Sequence, residues 1–192
     1  MPSVLIAVPT FESVDRRTFE SLWELDRPEG TGFATVGGYD CAKARNEIAK
    51  KAMEGGWDYV LMVDSDMVIP HDALRLMLEG DADIVLAPYA RKGSEGVADI
   101  FKWSTGFGPL YTFEELDRAG DRIQVPGGGF GCALIKTSVF REMAYPYFVY
   151  ALYPGGDFVS EDLYLCLEAT RLDMTIECDT RVRCGHIFKE VR

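Results

Sequence analysis

The sequence lacks the long apolar runs and the export signals of membrane and secreted proteins. Its longest uncharged stretch near the N-terminus, residues 4–10, is far shorter than the ~20 apolar residues that a membrane-spanning helix needs. No basic region precedes this stretch as in a signal peptide. We therefore expect a cytoplasmic protein with no membrane span.

Cys-x-x-Cys pairs are absent as well. The cysteines form an odd set of five, whereas a disulfide framework uses an even number and a zinc knuckle needs closely spaced pairs. Both kinds of site are therefore disfavoured. We expect reduced thiols at all five positions: Cys41, Cys132, Cys166, Cys178 and Cys184.

Positive charge is scarce. Lys and Arg number 20 against 31 Asp and Glu, which gives a formal net charge of −11. A surface of this sign repels phosphate backbones and anionic lipids, and it argues against a nucleic-acid partner without excluding one. Any anionic ligand must therefore be met locally, by a cation or by backbone N–H groups.

The sequence does have the composition of a globular protein and a regular alternation of strands and helices. With 192 residues, 47% of them hydrophobic, one soluble domain is expected. Residues 4–8, 59–63 and 84–87 are apolar runs of strand length, and residues 41–53 show helical periodicity. This alternation predicts an α/β fold with a mostly parallel central sheet flanked by helices. A further helix is indicated by three residues at helical spacing: Phe19, Leu22 and Trp23.

After residue 90 the alternation breaks, and the second half predicts a mixed sheet. Short strand patterns at 100–103, 110–113 and 123–125 are separated by glycine and charged residues, and a buried strand follows at 132–135. The aromatic residues of this region fit an acceptor site and a satellite core equally well: Trp103, Phe107 and Tyr111.

Asp64-Ser65-Asp66 directly follows the clearest buried strand. Ligands of an open parallel sheet bind outside the carboxyl ends of its strands, and the i, i+2 spacing points both carboxylates to one side. Two such groups, with a diphosphate and water, suit magnesium or manganese rather than zinc. A second copy, Asp81-Ala82-Asp83, precedes its strand, so we expect it at the opposite edge of the sheet as a solvated turn.

Three other elements have both a structural and a functional interpretation. Ser160-Glu161-Asp162 fits a helix start, where acidic residues are favoured, and it also fits a general base for a substrate hydroxyl. His186 fits a hydrogen-bonded loop residue or a metal ligand. Arg45-Asn46 fits a surface ion pair or a phosphate contact.

The glycine-rich segment at residues 127–131 matches neither common phosphate-binding fingerprint. No Lys-Ser or Lys-Thr follows it, and Leu134 stands where the dinucleotide fingerprint needs a small residue. ATPase and Rossmann dehydrogenase functions are therefore disfavoured. The segment can bring backbone close to a ligand, or it can simply form turns before a strand.

These elements occur in a characteristic order along the chain. Pro9-Thr10-Phe11 comes first, then Arg45-Asn46, DSDM at 64–67, GGGFG at 127–131, SED at 160–162 and CGHI at 184–187. From about residue 4 to 187 the order resembles a GT-A type glycosyltransferase of the family-2-like kind. The resemblance implies a Rossmann-like nucleotide-diphospho-sugar transferase fold in one domain, 1–192, with a nucleotide-binding half at 1–90 and an acceptor-binding and catalytic half at 91–192.

The resemblance also implies roles for particular residues. It places Mn²⁺ or Mg²⁺ on Asp66, with Asp64 toward the ribose or a metal-bound water and His186 completing the metal site. It makes Asp162 the general base, and it gives Glu161 an acceptor or donor hydroxyl to orient. It implies that the donor nucleotide contacts come from these residues: Pro9, Thr10, Phe11, Arg45, Asn46, Asp64, Ser65 and Gly129.

The function implied is metal-dependent transfer of a sugar from a UDP- or GDP-sugar to an acceptor hydroxyl, with inversion. Nothing in the sequence selects the acceptor or the oligomeric state. One alternative is a nucleotidyltransferase that makes an activated sugar, but this class needs a glycine-rich basic loop after the first strand, and residues 9–13 read PTFES. The other alternative is a noncatalytic module that binds a sugar nucleotide.

Overall fold

The computed structural model describes residues 2–104, 107–152 and 158–188. In chain order the elements of the first half are β1 (Val4–Thr10), α1 (Arg16–Trp23), β2 (Gly32–Gly37), α2 (Cys41–Glu54), β3 (Tyr59–Val63), β4 (Met67–Val68), α3 (Ala73–Met77), β5 (Ile84–Leu86) and β6 (Ala90–Arg91). Those that follow are β7 (Ser94–Trp103), β8 (Phe107–Thr112), α4 (Phe113–Arg118), β9 (Arg122–Gln124), β10 (Cys132–Lys136), α5 (Thr137–Glu142), β11 (Ala151–Leu152), β12 (Phe158–Val159), α6 (Glu161–Arg171), β13 (Ile176–Asp179) and β14 (Gly185–His186).

A seven-stranded sheet in the order β2-β1-β3-β10-β5-β13-β9 forms the centre of the fold. Strands β1, β2 and β3 are parallel, as are β5 and β13, whereas β10 runs antiparallel between β3 and β5 and β9 runs antiparallel at the far edge. Three small sheets accompany it: β6-β7-β8, β4 with β14, and β11 with β12. The sheet is mixed but mostly parallel, as predicted.

The central strands bury both faces because their side chains alternate between two hydrophobic clusters. In β1, Leu5 and Ala7 pack in one cluster with α2, while Val4, Ile6 and Val8 pack in the other cluster with α1 and α3. Each fully buried side chain of this size contributes about 1.5–3 kcal/mol. A continuous apolar run is therefore the expected sequence of a strand covered by helices on both sides.

The helices begin and end at recognisable residues, but α1 buries a narrower face than its spacing suggested. In α2, the Asp40 side chain accepts a hydrogen bond from the Lys43 N–H, and the helix ends at Gly55. In α1, Leu22 is buried whereas Phe19 and Trp23 are 52% and 69% exposed. Helical spacing therefore predicted the helix correctly, and only one of its three apolar residues enters the core.

The aromatic residues of the second half are divided between the core and the surface. Phe107 and Tyr111 on β8 pack against the main core, whereas Trp103 at the end of β7 is 56% exposed. None of the three is among the described residues that line the cavity at the carboxyl ends of β1 and β3. Phe107 and Tyr111 therefore form a satellite of the core.

The cysteines and the helices bear on two further expectations, reduced thiols and the lack of a membrane span. All five cysteines are free thiols, and four of them are buried. Within the described ranges, no helix combines the length and the hydropathy that crossing a membrane requires.

Candidate active site

A cavity of about 450 Å³ opens at the carboxyl ends of β1 and β3. Seven of the predicted site residues line it: Pro9, Thr10, Phe11, Asp64, Ser65, Asp66 and His186. They come from three distant parts of the sequence, and the sheet brings them together because β1 and β3 are parallel neighbours. The remaining lining residues are Tyr39, Asp40, Cys41, Ala44, Tyr89, Arg91, Lys92 and Asp99.

His186 reaches the Asp-x-Asp segment through backbone pairing between the two chain halves. Strand β14 pairs antiparallel with β4, which places His186 opposite Met67, and the Ile187 N–H donates to the Asp66 carbonyl over 2.8 Å. The residues immediately after Asp66 are therefore held directly against the segment that carries His186. Sequence proximity could not reveal this contact, because 120 positions of chain separate the two side chains.

Asp66 lies among positively charged or ionisable nitrogen atoms. Its Oδ2 is 3.5 Å from Nε2 of His186 and 3.2 Å from Nζ of Lys92. The hydrogen bond with His186 is the main cause that lowers the pKa of Asp66, and the same contact raises the pKa of His186. Asp66 is therefore a carboxylate at neutral pH.

The orientation of the His186 ring is fixed by its other nitrogen. Nδ1 lies 2.9 Å from the Ala90 carbonyl oxygen, and because a carbonyl can only accept, Nδ1 carries hydrogen and donates. In the neutral ring the lone pair is then on Nε2, which points toward Asp66. An oxygen and a nitrogen donor thus converge at one side of the cavity.

These donors fit a divalent ion that also takes ligands from elsewhere. Within the described ranges, no three His, Cys, Asp or Glu side chains gather into a cage for a metal ion. Mg²⁺ and Mn²⁺ are commonly held by one or two protein ligands together with water and substrate phosphates. Asp66 and His186 fit that pattern, whereas Asp64 Oδ1 is already bound to Arg45.

Arg45 lies beneath the cavity and joins two carboxylates. Its guanidinium donates to Asp64 Oδ1 over 2.8 Å and to Glu161 Oε1 over 2.6 Å, and its side chain is only 2% exposed. Burial acts against the charge, but the neighbouring carboxylates raise the pKa of Arg45 well above its usual value. Burial raises the pKa of Asp64, and Arg45 acts in the opposite direction. Arg45 therefore positions Asp64 and Glu161 from below.

Asn46 is buried on the side of α2 that faces the segment after α5. Its amide donates to the Phe148 and Ala42 carbonyls, and its carbonyl accepts from the N–H groups of Tyr147 and Phe148. These bonds use both ends of the amide, so Asn46 holds the 147–148 backbone against α2. The expected contact between Asn46 and the donor nucleotide stays a prediction.

Asp162 lies in the first turn of α6, and no described residue donates a hydrogen bond to its Oδ2. Its Oδ1 accepts from the Ser160 hydroxyl and from the Leu163 N–H. The side chain is half-buried, and its charge is close enough to act on Asp64, Tyr89 and Asp99. Glu161 is buried against Arg45 and, like Asp162, is not among the described residues that line the cavity.

The glycine-rich segment makes room for side chains. A Cβ atom at Gly129 would lie 2.0 Å from the Tyr89 hydroxyl oxygen and 2.4 Å from Asp99 Oδ2. Its N–H donates to the Asp99 carbonyl over 2.9 Å. Gly129 therefore packs closely against Tyr89 and Asp99, and its expected approach to the donor nucleotide stays a prediction.

Sequence reasoning missed the contributions of the β6–β7 hairpin. Arg91 and Lys92 are the Lys and Arg side chains of the described cavity lining, and Tyr89 and Asp99 flank them. The sequence offered little signal for them, because adjacent cations also occur at residues 16–17 and 50–51. The sequence analysis expected an anionic ligand to meet a local cation or backbone N–H groups, but it did not predict where a cation would lie.

The second Asp-x-Asp copy lies at the opposite edge of the sheet, as predicted. Asp81 is fully exposed and is paired with Lys136 over 2.8 Å. Asp83 is less exposed and accepts from the N–H and hydroxyl of Thr175. This copy ties β10 and β13 to the start of β5, which is a more structural role than a solvated turn.

The fold resembles that of many solved structures, among them A197 from STIV and GalNAc-T7. A197 from STIV superposes with a TM-score of 0.71 at 15% identity, covering 98% of this chain and 87% of A197. GalNAc-T7, crystallised with UDP, GalNAc and Mn²⁺, superposes with a TM-score of 0.62 at 12% identity. That match covers 100% of this chain and 45% of GalNAc-T7, a GT-A glycosyltransferase.

The fold is GT-A-like. The predicted fold class is thereby confirmed by the architecture and by its structural neighbours. No protein-family model and no curated protein sequence matches the chain. At 12–15% identity these structural neighbours establish the fold alone, so the chemistry has to be argued from the residues of the cavity.

Proposed function

We propose that this chain is a metal-dependent, family-2-like glycosyltransferase that moves a sugar from a nucleoside diphosphate sugar to an acceptor hydroxyl with inversion. The observation that carries the proposal is the convergence of Asp66 and His186, 3.5 Å apart, at the carboxyl end of β3 in a cavity of about 450 Å³. GalNAc-T7, which shares the fold, was crystallised with UDP and Mn²⁺. Cavities of this size accommodate small ligands.

Asp66 and His186 would hold the ion, and the diphosphate and water would complete its coordination. When bound, Mn²⁺ or Mg²⁺ supplies Lewis acidity for the negative charge that grows on the departing diphosphate. Asp64, which Arg45 holds in place, can accept a hydrogen bond from a ribose hydroxyl or a water molecule. Ser65 lies between the two carboxylates and completes this edge of the cavity.

Arg91 and Lys92 of the β6–β7 hairpin supply the local positive charge that an anionic ligand needs. Arg91 and Lys92 line the cavity, and Lys92 is already within 3.2 Å of Asp66. A diphosphate carried to Asp66 would therefore meet both cations, which offset the repulsion from the net charge of −11. Pro9, Thr10 and Phe11 form the wall on which we place the nucleotide base.

Asp162 is the proposed general base. Ser160 and Leu163 hold its Oδ1, which orients Oδ2 to accept the proton of an acceptor hydroxyl as that oxygen attacks the anomeric carbon. Attack from the face opposite the departing diphosphate gives inversion. Glu161 acts through Arg45 rather than on a substrate hydroxyl, because its Oε1 accepts the guanidinium bond. Residues 1–90 then supply most of the nucleotide site and residues 91–192 supply the base.

A donor panel tests the proposal. UDP-glucose, UDP-galactose, UDP-N-acetylglucosamine and GDP-mannose are incubated with the protein and MnCl₂, with and without EDTA, and release of UDP or GDP is measured. We expect release from at least one donor, and EDTA to abolish it. Binding without turnover would instead support a noncatalytic module, and pyrophosphate release from a nucleoside triphosphate would support a nucleotidyltransferase.

Asp162→Asn separates catalysis from binding. Asparagine keeps the Oδ1 acceptor for Ser160 and Leu163 but cannot take a proton, so we expect donor affinity to be preserved and turnover to fall by about 10²–10⁴-fold. Titration calorimetry and single-turnover assays measure the two quantities. Turnover equal to that of the wild type would refute the role of Asp162 as base.

A further inference from the structure

We propose that Asp99, held by Tyr89, binds a hydroxyl group of the donor sugar and sets the choice of sugar. This inference rests on the proposed function and adds a specificity residue to it. The Tyr89 hydroxyl donates to Asp99 Oδ2 over 3.1 Å, and both side chains line the cavity.

The backbone around Asp99 is fixed on two sides. Its N–H donates to the Tyr89 carbonyl over 3.1 Å, and its carbonyl accepts from the Gly129 N–H over 2.9 Å. The neighbouring residues extend this contact, since Ile100 forms a bridge with Gly128. The carboxylate therefore projects from a rigid junction between β7 and the glycine-rich segment.

Tyr89 is locked in place as well. Its ring is 6% exposed and meets the His186 ring edge-on, with centroids 5.3 Å apart. A Cβ atom at Gly131 would lie 2.7 Å from the ring, and one at Gly129 would lie 2.0 Å from the hydroxyl. Both glycines are needed for Tyr89 to sit against the segment and aim its hydroxyl at Asp99.

The remaining oxygen of Asp99 is the proposed ligand-binding atom. Oδ1 makes no hydrogen bond to any other described residue, whereas Oδ2 is held by Tyr89. A pre-oriented carboxylate oxygen at a cavity wall accepts well from an alcohol, but it repels a phosphate. Asp99 is therefore suited to a sugar hydroxyl and not to the diphosphate.

The position of Asp99 indicates the sugar rather than the nucleotide base. Tyr89 packs against His186, at the end of the cavity where we place the ion and the diphosphate. The charge of Asp162, the proposed base, is near enough to contribute to the raised pKa of Asp99, whose main cause is burial. In a nucleoside diphosphate sugar, the group between the diphosphate and the attacking acceptor is the sugar ring.

Binding of donors with and without their sugar tests the inference. Calorimetry in MnCl₂ compares UDP and GDP with UDP-glucose, UDP-galactose, UDP-N-acetylglucosamine and GDP-mannose. Asp99→Ala should weaken the preferred nucleotide sugar about 10- to 100-fold while UDP or GDP affinity stays within about twofold, because only the sugar loses a charged hydrogen bond. Asp81→Asn is the control, since Asp81 is fully exposed at the opposite edge of the sheet.

Two further variants keep the test valid if Asp99→Ala fails to fold. Asp99→Asn keeps an acceptor for Tyr89, and Tyr89→Phe removes only the hydroxyl that orients Asp99. Each should lower nucleotide-sugar affinity by a smaller factor, about 3- to 10-fold, and should reduce the discrimination between donors that differ at one hydroxyl.

The outcomes distinguish this inference from the proposed function. Equal losses for UDP and UDP-sugar would show a merely structural role for Asp99, and unchanged sugar affinity in all three variants would remove Asp99 from the sugar site. Either result overturns this inference and leaves the proposed function standing. A wild-type protein that binds none of the nucleotides or nucleotide sugars would overturn both.

Discussion

The two Asp-x-Asp copies have the same spacing and lie at opposite edges of one sheet. Asp64 and Asp66 follow β3, whereas Asp81 and Asp83 precede β5. The first pair lines a cavity beside His186 and Lys92. The second pair binds Lys136 and Thr175, which belong to or adjoin neighbouring strands.

The difference shows that the end of the strand, rather than the motif, decides what the carboxylates do. At the carboxyl end, loops diverge from the sheet and leave a cavity, so Asp66 keeps a side open to a ligand. At the amino end, Asp83 finds Thr175 directly across the sheet and uses Oδ2 for two hydrogen bonds. The same kind of substitution should therefore affect the two copies to very different extents.

Removing the cation of each copy should give the largest contrast. Arg45→Met leaves Asp64 and Glu161 without their buried counter-charge, and we expect unfolding free energy to fall by about 3–5 kcal/mol. Lys136→Met breaks pairs with an exposed and a half-buried carboxylate and should cost about 1 kcal/mol or less. Urea unfolding measures both free-energy changes, provided that the m-values of the variants equal that of the wild type. Similar losses for the two variants would contradict the contrast.

Neutralising one carboxylate in each copy should separate activity from structure. Asp66→Asn should reduce Mn²⁺-dependent donor turnover by about 100-fold, because one charged ligand of the ion is lost. Asp81→Asn, at the fully exposed first position of the second copy, should leave turnover unchanged. Turnover is compared across a MnCl₂ titration, with circular dichroism as the check on folding. Full activity of Asp66→Asn at the Mn²⁺ concentration that saturates the wild type would show that Asp66 does not bind the ion.

Much of the fold could be predicted because its signals are local. The apolar runs of β1, β3 and β5 and the helical periodicity of α2 depend only on neighbours in sequence. The pairing of β10 between β3 and β5 could not be predicted, because strands that pair across about 50 to 70 residues of sequence leave no periodicity. The exposure of Phe19 and Trp23 also depended on what α1 packs against rather than on its own spacing.

The candidate site divides in the same way. Asp66 could be predicted from its place after a strand, and His186 only from a resemblance, since its partner strand β4 is distant in sequence. Arg45 had two open interpretations, a surface ion pair or a phosphate contact, and the structure shows a third arrangement, a buried ion pair with Asp64 and Glu161. No sequence pattern indicated Asp99, because its proposed role depends on a contact with Tyr89 that the β6–β7 hairpin creates.

Asp83→Ala should have a small effect, and it should change stability without changing activity. Loss of the Thr175 hydrogen bonds should lower unfolding free energy by about 1–2 kcal/mol, and activity should persist because the residue lies at the amino edge of the sheet. Asp81→Ala, fully exposed, is the matched control and should stay within about 0.5 kcal/mol of the wild type.

Comparing Asp83→Ala with the wild type also tests how stability depends on pH, and the direction of the effect follows from the pKa of Asp83. Partial burial raises this pKa, but the Thr175 bonds and Lys136 outweigh burial and leave it below the usual range. A depressed pKa in the folded state stabilises the fold above the unfolded pKa of about 3.9, and this stabilisation is lost as pH falls through the lower folded value. The stability difference between wild type and Asp83→Ala should therefore be constant from pH 7 to 5 and shrink below about pH 4. A difference that grew on acidification would mean that Asp83 is destabilised by its surroundings, and the second copy would then not be the structural counterpart of the first.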